Sequence, residues 1–140
     1  MKRDKYDALF SDLVRIRSLA CERCGIEYPD FPDVRDRSFH CSHYIGRIWK
    51  ATRYHPDNAF ALCAACHKEV GDDPGAHYKF AFEKLGEERY EALRVRKHTQ
   101  IKWGKPFMKE LYKHYKSEYD RLVELRNQGV TGRLEFTWVE

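Results

Sequence analysis

Two Cys-x-x-Cys pairs, Cys21-Glu-Arg-Cys24 and Cys63-Ala-Ala-Cys66, bracket a stretch that also holds His40, Cys41, His43 and Asn58; His67 follows the last cysteine directly. Cysteines two residues apart place both sulfurs on one side of a tight turn, and two such pairs supply the four thiolates of a closed tetrahedral zinc site. With 38 residues between Cys24 and Cys63, the site is expected to clamp a substantial inserted loop. Other readings of the cysteines fit less of the chain. Cys63-Ala-Ala-Cys66-His67 matches the c-type haem attachment pattern, but that chemistry needs export and leaves Cys21 and Cys24 unused. A thioredoxin-like redox pair leaves the other pair idle, and two structural disulfides conflict with a reducing compartment. The fifth cysteine, Cys41, is expected to be a small buried hydrophobe on a strand. A four-thiolate zinc site has no open coordination position, so any reaction chemistry must come from the histidines.

The rest of the chain bounds what that chemistry serves. At 140 residues, 42% hydrophobic and 34% charged, it reads as one soluble α+β domain. Its formal charge of +4 is unevenly spread: eight Lys or Arg and one acid, Glu110, lie between Arg94 and Lys116. That tract faces either a polyanion or solvent. The opening residues mix both charge signs, and no apolar run approaches the roughly 20 residues of a membrane span. The expectation is a cytoplasmic protein with no membrane partner.

The elements that must position these residues follow from periodicity. Tyr6, Leu9, Phe10, Leu13 and Val14 form one apolar stripe of a helix that stops near Ala20. Residues 26 to 37, with Pro29 and Pro32, read as a loop. Phe39 to Ile45 is a strand, followed by a basic loop containing Gly46, Arg47, Lys50 and Arg53. Pro56-Asp57-Asn58 reads as a turn, Ala59 to Leu62 as a second strand, and a helix starts at Cys63. Asp72-Asp73-Pro74-Gly75 ends that helix. A short helix to Gly86 and another over Glu87 to Lys97 come next. Lys105 to Asn127 carries a stripe of Met108, Tyr112, Tyr115, Tyr119 and Leu122, and Gly129 provides a left-handed cap. The stripe is read as core in preference to a base-stacking platform, with Lys105, Lys109, Lys113 and Lys116 facing outward on the same helix. Arg133 to Val139 is an edge strand or a tail. The organisation is then an N-terminal helix (1–20), a zinc-clamped core (21–71) and a helical region (72–140) within one domain.

The motifs Cys21-x2-Cys24, Ser42-His43-Tyr44, Asn58 and Cys63-x2-Cys66-His67 resemble the zinc-clamped branch of the HNH (ββα-metal) endonucleases. More narrowly, His40-Cys-Ser-His-Tyr-Ile-Gly-Arg47, Thr52-Arg-Tyr-His-Pro-Asp-Asn58 and Leu62-Cys-Ala-Ala-Cys-His67 are similar to the bacteriophage NinG/Rap recombination proteins, taken to cut branched DNA. The resemblance implies a small ββα-metal centre in a mostly helical domain, in a phage-infected or prophage-carrying bacterial cell. It implies His43 as the general base, Asn58 as the residue that orients the loop and the His43 ring, and His67 as a ligand of a catalytic Mg2+, Mn2+ or similar ion. Many HNH enzymes carry Asp or His before the base, where this chain has Ser42. His40 shares the face of Ser42 on an extended strand and is the expected substitute ligand, with His55 and Asp57 as rivals. Arg47, Lys50 and Arg53 are candidate phosphate contacts, and Lys105, Lys109 and Lys113 are candidates for gripping DNA further away. The competing readings are a non-catalytic zinc-dependent DNA-binding protein, and an HNH enzyme of restriction or genome packaging. Either a monomer or a homodimer fits.

Overall fold

A computed structural model describes residues 1–28 and 38–139; Pro29 and Pro32 of the expected loop lie outside them. The chain is α+β: five α-helices and a two-stranded antiparallel sheet among the described residues. Helix α1 (Lys5–Ser18) begins with a reciprocal cap, in which the Asp4 carboxylate accepts the Asp7 N–H and the Asp7 carboxylate accepts the Asp4 N–H. It is buried on nearly all sides, its apolar stripe of Phe10, Leu13 and Val14 being fully enclosed.

Strand β1 (Phe39–His43) pairs with β2 (Ala59–Cys63), placing His40 opposite Leu62, Ser42 opposite Phe60 and His43 opposite Ala59. Between them, α2 (Lys50–Arg53) occupies part of the expected basic loop, and a 3-10 turn spans Pro56–Asn58. Helix α3 (Ala64–Asp72) starts at the second cysteine pair.

Helix α4 (Pro74–Lys97) runs on from α3 through Asp73, whose side chain caps it by accepting the Ala76 N–H. Gly86 interrupts it at φ 79°, a value open to glycine, so the two helices expected here meet at a kink. Helix α5 (Lys105–Asn127) ends as expected with Gly129 at φ 86°. The residues after it form no strand. They run extended across α1: the Leu134 N–H donates to the Arg17 carbonyl (2.8 Å), and Phe136 is buried in the core.

Both faces of β2 are covered, which accounts for its being wholly buried. Ala59 and Ala61 join α1, α5 and Phe136 in one apolar cluster. Phe60 and Leu62 join Val70 of α3 and Phe80, Leu85, Tyr90 and Leu93 of α4 in another. On α5 the stripe splits by depth: Leu111, Tyr115 and Leu122 are buried, whereas Met108 and Tyr119 pack at the margin. No helix of the described residues is long and apolar enough to cross a membrane.

Candidate metal centre and active site

The sulfurs of Cys21, Cys24, Cys63 and Cys66 all lie within 4.8 Å of one another, a group that could hold a metal ion. Local backbone geometry gathers them. After Cys21, Gly25 at φ 84° turns the chain back so that the Cys21 N–H donates to the Ile26 carbonyl (2.8 Å). At the second pair, Cys63 caps α3 and its sulfur accepts the Cys66 N–H (3.4 Å), which places that thiol at the positive end of a helix. The first turn docks onto β2 through Glu22, whose N–H donates to Ala61 (2.8 Å) and whose carboxylate accepts the Ala61 N–H (2.8 Å).

The donor set fits zinc. Four sulfurs about 2.3 Å from one ion stand about 3.8 Å apart, and the Cys24 and Cys63 sulfurs are separated by 3.7 Å. Burial opposes ionisation of Cys21, but backbone N–H groups of Cys24, Cys63 and Arg23 outweigh it and lower its thiol pKa. Burial raises that of Cys66, against which the Arg23 guanidinium supplies a compensating contact at 3.6 Å. Cys41 stands apart from this group, partly buried on β1, with burial raising its pKa.

Three of the histidines expected to do chemistry border one cavity of about 480 Å³, together with Arg3, Asp7, Ser11 and Arg15. The pairing register explains how they meet. His40 lies on the strand face shared with Leu62, toward α3, where its Nδ1 is 2.8 Å from the Nδ1 of His67. His43 lies on the other face, where its ring packs 5.6 Å from that of Phe10 of α1. The cavity therefore draws on both faces of β1.

The His43 ring is held by a main-chain acceptor: Nε2–H donates to the Arg53 carbonyl (3.0 Å), which leaves the lone pair on Nδ1. Burial depresses its pKa to about 4, so the imidazole is neutral near pH 7. Asn58 does not touch this ring. It is fully buried; its side-chain oxygen accepts the Ile45 N–H (2.8 Å), and its amide donates to the carbonyls of Ile45 (2.9 Å) and Thr52 (3.0 Å). It staples the loop that carries the Arg53 carbonyl, and so acts on His43 indirectly.

Several candidates are engaged elsewhere. Ser42 is buried opposite Phe60. His55 stacks on Trp138 and accepts the Asp57 N–H (3.1 Å), while Asp57 pairs with Arg89, so neither rival ligand borders the cavity. Arg53 makes a two-pronged contact to the Asp7 carboxylate (3.0 and 2.5 Å), which Arg47 also reaches at 3.4 Å. These two arginines brace the loop against α1, and Arg47 also borders the cavity. Lys50 is exposed, as are Lys105, Lys109 and Lys113 on the outer side of α5.

No protein-family model matches the chain, and neither a curated protein nor a solved structure shows similarity to it. Its function must be argued from the site.

Sequence reasoning missed the wall that α1 contributes. Asp7, Ser11 and Arg15 recur every four residues of α1, one per helical turn, and are almost fully buried, with Arg3 just ahead of the helix cap. A polar stripe at that spacing on a helix whose other sides are apolar was the available signal.

Proposed function

We propose that this chain is a metal-dependent DNA endonuclease of the HNH type, with a structural zinc at the four cysteines and branched or recombination-intermediate DNA as its substrate. The observation that carries the reading is the convergence of His40, His43 and His67 on one cavity beside the thiol cluster, with His43 aimed by a loop that a buried asparagine pins.

The His40 and His67 pair fits a divalent ion. Two nitrogens bound at right angles about 2.1 Å from an ion are about 3.0 Å apart, and these Nδ1 atoms are 2.8 Å apart, sharing a single proton that a cation would replace. When bound there, magnesium or manganese supplies Lewis acidity that neutralises charge developing on the phosphate. His43 supplies the other half of the chemistry. Its Nδ1 lone pair takes a proton from water as the water oxygen attacks phosphorus, and the phosphorus–oxygen bond to the leaving strand breaks, that oxygen departing with the bonding pair and taking a proton from solvent. The resulting imidazolium keeps its Nε2–H bond to the Arg53 carbonyl, while the Arg47 and Arg53 guanidiniums oppose its charge and the Asp7 carboxylate favours it.

The test is plasmid nicking with magnesium or manganese. His43→Ala should lower the rate by about two orders of magnitude or more, the scale of a positioned base, with DNA affinity nearly unchanged. Equal rates would remove His43 from the mechanism, and binding with no cleavage under any ion would favour a non-catalytic DNA-binding protein. Linear, nicked, flap and four-way substrates compared side by side separate branch cleavage from restriction or packaging roles.

A further inference from the structure

A second cavity, of about 510 Å³, adjoins the first across Gly46, which borders both. Its character is different. Tyr44, immediately after His43, forms one wall with Tyr90 of α4; their hydroxyls are hydrogen-bonded at 2.8 Å. The Tyr44 ring meets His77 edge to face at 5.0 Å. His77 Nε2 is shielded from solvent and has no hydrogen-bond partner among the described residues. Trp49 lies across the opening, 39% exposed, with the Lys97 ammonium 4.4 Å from its ring centroid. Arg94 completes the basic rim and holds only an exposed contact to Glu91.

We propose that this cavity receives an unpaired nucleobase of the strand being cut, with Arg94 and Lys97 meeting the phosphates that flank it. The inference rests on the nuclease reading and deepens it by naming what the enzyme recognises. Aromatic rings beside a basic rim are the combination that binds single strands, because every base offers a π-face and every linkage a charge. A base stacked inside a duplex cannot enter such a cavity, whereas one at a junction, flap or bulge enters without loss of pairing. Because Tyr44 follows His43 in the chain, the captured base belongs to a nucleotide next to the scissile phosphate.

The experiment uses the zinc-loaded 140-residue chain without added magnesium or manganese, so that DNA stays intact. Binding is measured by fluorescence anisotropy to a duplex with one bulged nucleotide and to the same duplex with that nucleotide abasic. The base-containing bulge should bind about tenfold more tightly, the scale of one base stacked on an aromatic side chain. Trp49→Ala should erase this preference, and Trp49→Phe should keep most of it. Equal affinity of the wild-type chain for the two bulges overturns the proposal, and this comparison needs no variant. A preference that survives Trp49→Ala also overturns it. Cleavage of both duplexes with magnesium or manganese is scored separately: cutting without base preference removes the base cavity and leaves the nuclease, and preference without cutting does the reverse.

Discussion

Asp7 is the acid on which the loop carrying the Arg53 carbonyl leans, and Asp7→Asn isolates its contribution. The wild-type carboxylate is 2% exposed and receives Arg53 at two points, Arg47 at one, and the N–H of Asp4. An asparagine retains the shape and the helix-cap acceptor but leaves two arginines facing a neutral amide. Removing one member of a buried ion pair costs about 3–5 kcal/mol. The Arg53 and Arg47 side chains retain 13% and 26% of their exposure, so water recovers part of that cost. The expected loss is about 2–3 kcal/mol, or a melting temperature lower by about 10 °C. The pH dependence has a definite sign. Burial raises the Asp7 pKa, but the Arg53 contacts and the Asp4 N–H outweigh it and bring the carboxyl below its ordinary 3.8. Its stabilisation is therefore fully present above that value and disappears as pH falls through the lower folded-state pKa. Urea unfolding of both proteins from pH 7 downward should show a constant gap to about pH 5, which narrows from about pH 4 and closes only below the folded-state pKa. A gap under about 0.5 kcal/mol at pH 7 would refute the reasoning, as would one that widens in acid.

The low basicity of His43 predicts that cleavage persists to about pH 5, where a histidine titrating at the ordinary 6.5 is mostly protonated; a rate that falls tenfold per pH unit below 6.5 would contradict it. Cys21→Ser or Cys66→Ser should release the metal and sharply reduce the yield of folded protein, since binding energy at such sites is largely folding energy; a stably folded variant with unchanged zinc by atomic absorption would count against the assignment. Neutralising Lys105, Lys109 and Lys113 together should weaken binding to every DNA and reduce the slope of log affinity against log salt by about 2–3; an unaltered slope assigns these lysines to solvent.

The parts of the fold governed by local rules were readable. The cysteine spacing, the strand expected over Phe39 to Ile45 (which ends at His43), the break at Gly86 and the cap at Gly129 each depend on residues within one or two turns of chain. The face-sharing of His40 with Ser42 followed from strand alternation and is what brings His40 to His67. What could not be read depends on distant partners. That Arg47 and Arg53 also brace the loop against α1 could not be seen, because the carboxylate that engages them lies 40 and 46 residues earlier. The resemblance implies that Asn58 holds the His43 ring, whereas the hydrogen-bond acceptor of that ring is the Arg53 main-chain carbonyl, which no side-chain motif can signal. The segment after Gly132 reads as a tail, yet burial of Phe136 against α1 decides its course.

That last contact has a consequence for the order of events on the ribosome. All four sulfurs and the three cavity histidines have been synthesised by residue 67, but Phe10 packs on Phe136 (ring centroids 6.1 Å apart), and the Arg17 carbonyl is met by Leu134. At about 5–20 residues per second, the intervening stretch takes roughly 3–14 s to translate. During that interval the nascent chain has all four cysteines of the cluster, while α1, which carries one wall of the histidine-lined cavity, still lacks its covering. The metal-binding group is therefore complete in the chain before the core can close around Phe136.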